Sequence, residues 1–181
     1  MRRFPHRAVA LALVLLAPLC MAAGARAQPS DAMSGEVLAT AAAGAVPLNG
    51  PATRVTLAPV PGTENLGGRL TALVRDRRLF LVLGDLRAEV QPGIVYEIYL
   101  GLPPGAVADD ANFVGTLNFF AVAPPNKTPK SRSYDVTRTV GMLLSRGLPD
   151  DGLAVTIIPA AGAPAPGAAP PTIGRLALVA E

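Results

Sequence analysis

Nineteen prolines and eighteen glycines interrupt this 181-residue chain so often that its apolar residues fall into runs of only a few positions. Short runs rich in β-branched and aromatic residues, fenced by Pro and Gly, have the pattern of strands rather than helices. They predict strands near Arg54 to Leu57, Arg69 to Arg75, Arg78 to Leu83, Ile94 to Leu100, Phe113 to Val122, Leu153 to Pro159 and Thr172 to Val179. Between Arg78 and Leu83, the residues Leu79, Leu81 and Leu83 alternate with Phe80 and Val82, so both faces are apolar, as suits a strand covered on both sides. One segment has a helical period instead. Val136, Val140, Leu143 and Leu144 follow i, i+4, i+7, i+8, with Asp135 or Thr137 to cap the start and Gly147 to end the helix before Pro149. The predicted fold class is therefore all-β, a two-layer β-sandwich or jelly-roll-like domain with one short helix.

The first 27 residues read as a secretion signal. Arg2, Arg3 and Arg7 form a basic n-region, Ala8 to Leu19 an apolar h-region, and Ala25-Arg26-Ala27 a small-x-small cleavage site before Gln28. The apolar run is too short for a good membrane span. The Arg2-Arg3 pair leaves a twin-arginine route open beside the general secretory one. The expected product is exported, periplasmic or extracellular, with no membrane attachment after cleavage. Residues 28–52, rich in Ala, Gly, Ser and Pro without sustained period, read as a flexible arm, and 53–181 as the β-domain. Ala160 to Pro171 reads as a long loop between two late strands.

Removing the signal changes both charge and chemistry. Of 16 Lys+Arg, four leave with it and all 13 Asp+Glu stay, so the +3 of the full chain becomes −1 and gives no reason to invoke nucleic acid. The only His, His6, and the only Cys, Cys20, also leave, and the chain has no Trp. No disulfide can brace the domain, which must be held by apolar burial. Nucleophilic catalysis loses its usual base. A Ser-Lys arrangement among Lys127, Lys130, Ser131 and Ser133 reads as an exposed, soluble turn. The acid pairs Asp109-Asp110 and Asp150-Asp151 lie near turn-forming Pro or Gly and lack the spaced oxygens of a calcium loop. With only Met33 and Met142 as soft donors, no transition-metal set can be assembled. The cluster Arg75-Asp76-Arg77-Arg78 reads as a solvated rim. Most aromatic residues fall in predicted strands, with Tyr134 near a loop. Asn126-Lys127-Thr128 matches the N-glycosylation pattern but is followed by Pro129. No catalytic, cofactor-binding or metal-binding residue is assigned, and no cofactor is expected.

Five segments occur in a characteristic order: VYEIYLGLPPG (Val95 to Gly105), NFVGTLNFFAV (Asn112 to Val122), SYDVTRTVGMLL (Ser133 to Leu144), LAVTIIP (Leu153 to Pro159) and PTIGRLALV (Pro171 to Val179). In that order they resemble the C-terminal domain of tyrosinases and plant polyphenol oxidases, over roughly residues 70 to 181. The resemblance implies a β-sandwich that lies over a type-3 copper centre and shields it. It also has limits, because the six copper-binding histidines of the family are absent, as are the Cys residues some fungal relatives use in copper delivery. The resemblance thus implies a non-catalytic accessory or shielding partner, acting in trans on a separately encoded tyrosinase-like copper oxidase. The proline-stiffened turn Ala123 to Pro129 reads first as a plain hairpin connection, though it is also placed to project from such a scaffold, and no plug residue is assigned. Two other readings stay open: a free-standing envelope ligand-binding or adhesion module, with Arg75, Arg77 or Arg78 lining a pocket, and a hydrolase using Asp109, Asp110, Asp150 or Asp151 alone.

Overall fold

In the computed structural model, residues 35–42, 44–120, 122, 130–148, 153–160 and 169–181 are described. The strands are β1 (Glu36–Ala41), β2 (Val46–Pro47), β3 (Thr53–Pro59), β4 (Leu79–Arg87), β5 (Tyr96–Leu100), β6 (Phe113–Leu117), β7 (Lys130–Asp135), β8 (Leu153–Pro159) and β9 (Thr172–Ala180). Two helices, α1 (Leu66–Leu73) and α2 (Thr137–Arg146), interrupt them. All the strand pairings are antiparallel, in the order β6-β5-β8-β3-β1-β9-β4-β7, and β2 pairs with β9 beyond the end of β1. The fold is all-β, as expected, and its two layers are halves of one rolled sheet.

The roll nearly closes. β6 and β7, the two ends of the order, share no ladder, but the Tyr134 hydroxyl of β7 donates to the Thr116 carbonyl of β6 at 2.8 Å. The Tyr134 ring lies against Gly115, where a Cβ would stand 2.9 Å from the ring. Only a residue without a side chain lets the ring come so close.

Leu79, Leu81 and Leu83 of β4 point inward and join Leu38, Leu57, Ile98, Val155, Leu176 and Leu178 in one interior cluster. Their neighbours point outward, where Val82, Ala177 and Val179 are buried with Val37 and Phe80 against them. β4 and β9 are thus apolar on both faces, the pattern that alternation within Arg78 to Leu83 predicts. The helices sit at the end of the roll where β4 begins and β7 ends: Val136 N–H donates to the Leu79 carbonyl at 2.8 Å, and Val140 and Leu143 enter the interior cluster. The Asp135 carboxylate accepts from the Thr137 N–H at 3.0 Å and hydroxyl at 2.7 Å, and Gly147, at φ 85°, ends the helix. Gly147 closes the helix as the sequence predicts, but the N-cap position is held by Val136 without a side-chain cap, and Asp135 sits one residue before it.

Several expectations are corrected. Residues 69–75, predicted as a strand, are mostly helix: Leu66, Leu70 and Leu73 make one buried helical face, and the Asn65 side chain accepts from Gly68 N–H at 2.9 Å as a cap. The alternation of Leu70, Ala72 and Val74 mimics a strand, and Gly67-Gly68 hides the helix start. The predicted arm, 28–52, contains β1, which lies between β3 and β9 in the middle of the sheet, and β2. The expected strand Phe113 to Val122 ends at Leu117. β7, with the sequence KSRSYD, is an edge strand whose exposed residues carry no apolar alternation. The predicted signal, residues 1–27, lies outside the described residues, as do Ala123 to Pro129 and most of the loop 160–171.

Candidate functional site

At the helix-capped end, the Asp109–Asn112 turn feeds β6 and faces the first turns of α2. Asn112, only 4% exposed, fixes this turn by donating its side-chain amide to the Leu100 carbonyl at 2.7 Å, while Leu100 N–H donates to the Asn112 carbonyl at 2.8 Å. Asp109 accepts from the Asn112 N–H at 3.0 Å. Between this turn and α2 lies a cleft of about 460 Å³ lined by Asp110, Ala111, Phe113, Arg138, Thr139 and Met142. Phe113 is 38% exposed, one of the few large apolar side chains presented to solvent.

Behind Phe113 stands Tyr99, with ring centroids 5.6 Å apart at 62°, an edge-on packing. Glu97 and Tyr99 are two apart on β5 and share a strand face, so the Tyr99 hydroxyl donates to the Glu97 carboxylate at 2.7 Å. That hydrogen bond is the main reason the phenol is pushed up to about 12; burial and the charges of Glu97, Asp110 and Asp109 add to it. Tyr99 is therefore a neutral donor committed to Glu97 throughout the physiological range. The cleft offers an aromatic edge, a thioether, a carboxylate and a guanidinium, a set suited to contact with a ligand or a peptide side chain.

Asp110 lines this cleft, while Asp109 is tied into the turn beside it by the Asn112 N–H; Asp150 and Asp151 lie outside the described residues. Lys130, Ser131 and Ser133 are on β7, with Lys130 on the opposite strand face from both serines, so they do not converge. Lys127 and Met33 lie outside the described residues, and Met142 forms part of the cleft wall. Arg77 bonds the Ala180 carbonyl at 2.9 Å and pairs with Glu36 at 3.4 Å, Arg69 reaches the same carboxylate at 2.7 Å, and Arg78 stands 3.9 Å from Asp135. These arginines fasten the sheet rim, and Arg75 is exposed beside them. Tyr134 serves the seam. Among the described residues, no group of three His, Cys, Asp or Glu side chains is placed to hold a metal ion. Phe113, Arg138 and the Glu97-Tyr99 pair are absent from the sequence-derived candidates; the two-residue spacing of Glu97 and Tyr99 is the one signal that could have joined them.

No family model matches the sequence, and no curated protein matches it. Solved structures do. The chain is similar to latent aurone synthase, a polyphenol oxidase, from its natural source, with a TM-score of 0.46 and 14% identity over 75% of this chain and 25% of that one. Recombinantly expressed latent aurone synthase gives a TM-score of 0.46 and 16% identity over 81% of this chain and 28% of that one. The chain spans about a quarter of the length of these proteins.

Proposed function

We propose that this chain is a non-catalytic accessory domain of the tyrosinase C-terminal type, exported, which covers a type-3 copper oxidase centre carried by residues outside this sequence. The observation that carries the reading is the order of the five family-like segments, which fall in turn on β5, on β6 and the residues after it, on β7 with α2, on β8 and on β9. The physical requirement of a cover is a stiff scaffold, and the doubly buried strands β4 and β9 supply one. The composition of the domain supports the same role, since its sequence after residue 27 has no imidazole or thiol to ligate copper itself.

The test is reconstitution. The chain is produced with and without a tyrosinase-like oxidase from the same source, and diphenol oxidation and copper content are followed. Lowered activity that returns when this chain is removed by proteolysis supports a cover. Unchanged activity and copper content, together with no co-purification, overturn it. The cleft of Phe113, Arg138 and Met142 favours one second reading, a free-standing ligand-binding module, in which case small aromatic ligands bind the isolated domain and Phe113→Ala abolishes their binding.

A further inference from the structure

The connection from β2 to β3 carries the sequence Leu48-Asn49-Gly50-Pro51. Its entry is fixed: Leu48 is 1% exposed, and its N–H donates to the Pro171 carbonyl at 2.9 Å. The next residue is free. Asn49 is exposed, its carboxamide makes no hydrogen bond among the described residues, and neither does the Gly50 N–H. A Cβ placed on Gly50 would meet only the backbone of Ala52, its carbonyl at 3.5 Å and its nitrogen at 3.9 Å, so the surroundings of this residue are open. The strands that flank the turn line a cleft of about 380 Å³, with Val46 and Pro47 on one side and the first residues of β3 on the other.

We propose that Asn49 is a site of spontaneous deamidation, a modification that converts this turn into an anionic one. The Gly50 backbone nitrogen, losing its proton to solvent, attacks the Asn49 side-chain carbonyl carbon. A carbon–nitrogen bond forms, the carboxamide nitrogen leaves as ammonia, and a five-membered succinimide results. Water then adds to one of its two carbonyls. Opening at one gives aspartate, and opening at the other gives isoaspartate, in which the main chain runs through the side-chain carbon and is one methylene longer. No oxidant, reductant or enzyme is needed. The ring closes only if the chain between the two residues can rotate, and glycine gives the least steric resistance to that rotation.

The other described asparagines lack this combination. Asn65 accepts from the Gly68 N–H at 2.9 Å and is followed by Leu66. Asn112 is 4% exposed, donates to the Leu100 carbonyl at 2.7 Å and is followed by Phe113. Asn118 is half-buried and is followed by Phe119. They therefore serve as controls within one molecule.

The experiment incubates the folded, purified protein at 37 °C in neutral and mildly alkaline buffer, then maps peptides by mass spectrometry. Isoaspartate is read separately by methyl transfer from a protein isoaspartyl methyltransferase. Conversion at position 49 should outpace that at Asn65, Asn112 and Asn118 and should accelerate as the pH rises. Gly50→Ala, which the open surroundings accommodate without a positive φ, should slow it by roughly tenfold or more, because the added Cβ restricts rotation. Retained near-native circular dichroism checks that the variant is folded, and Asn49→Gln provides a second folded control in which ring closure is disfavoured. An intact position 49 while the other asparagines convert overturns the proposal, as does equal conversion in folded protein with and without Gly50→Ala.

Discussion

The near-closure of the sheet rests on Tyr134, and its loss can be worked out in two parts. Tyr134→Phe keeps the ring on Gly115 and removes only the hydrogen bond to the Thr116 carbonyl. Thr116 is exposed, so water can replace the lost donor, and the cost should fall at the low end of the usual range, about 0.5–1 kcal/mol. Gly115→Ala acts on the opposite strand. A Cβ 2.9–3.0 Å from two ring carbons must push β6 and β7 apart, an overpacking cost of about 1–3 kcal/mol. The two effects are coupled through the ring. In a Tyr134→Ala background, Gly115→Ala should therefore be almost neutral, giving a coupling free energy of about 1 kcal/mol or more. For a domain of this size each kcal/mol shifts Tm by about 2–4 °C. Urea unfolding of the four proteins, followed by circular dichroism, measures the cycle, and amide exchange of β6 reports whether the seam opens locally. Additive effects of the two substitutions would refute the claim that the Tyr134 ring and Gly115 hold the seam together.

Tyr99 should ionise near 12 in an alkaline absorbance titration, and Glu97→Gln should bring it down by removing both the ionic acceptor and its charge. Because the folded-state pKa is raised, the stability linked to Tyr99 is fully present below the ordinary value of 10 and is lost as pH rises toward 12. Asp135 behaves in the opposite sense: the Thr137 hydroxyl, then the Thr137 N–H, hold its carboxyl below the ordinary 3.8. Its contribution is present above that value and fades as pH falls through the lower folded value, so Asp135→Asn should flatten the acid limb of a urea-midpoint profile. Asn65→Ala removes the cap of α1 and should cost about 1 kcal/mol in equilibrium unfolding.

The sequence reveals those elements whose burial is one-sided or complete. β8 is predicted to the residue, because LAVTIIP is apolar at every position but Thr156 and is bounded by loop-forming residues, and α2 announces itself by its period and by Gly147 at its end. β7 escapes because an edge strand facing solvent has no reason to alternate apolar residues. β1 escapes for a different reason: its small residues, Ala39 and Ala41, fit the middle of the sheet by being small, and nothing local distinguishes that from an unstructured arm. The cleft is legible only at Asp110. Its other wall depends on how α2 packs against the turn before β6, a relation between residues almost thirty positions apart that no local pattern carries.

The final strand has β4 on one side and β1 with β2 on the other, so it joins two groups of strands that have no other ladder between them. Until the ribosome has delivered residues 172–180, β4 and β7 have no strand ladder to β1, β3, β8, β5 and β6. A growing chain is thus kept from settling into its native sheet until β9 has emerged. Trimming those nine residues should yield not a smaller version of the domain but two orphaned ribbons with open edges, prone to pair with other chains.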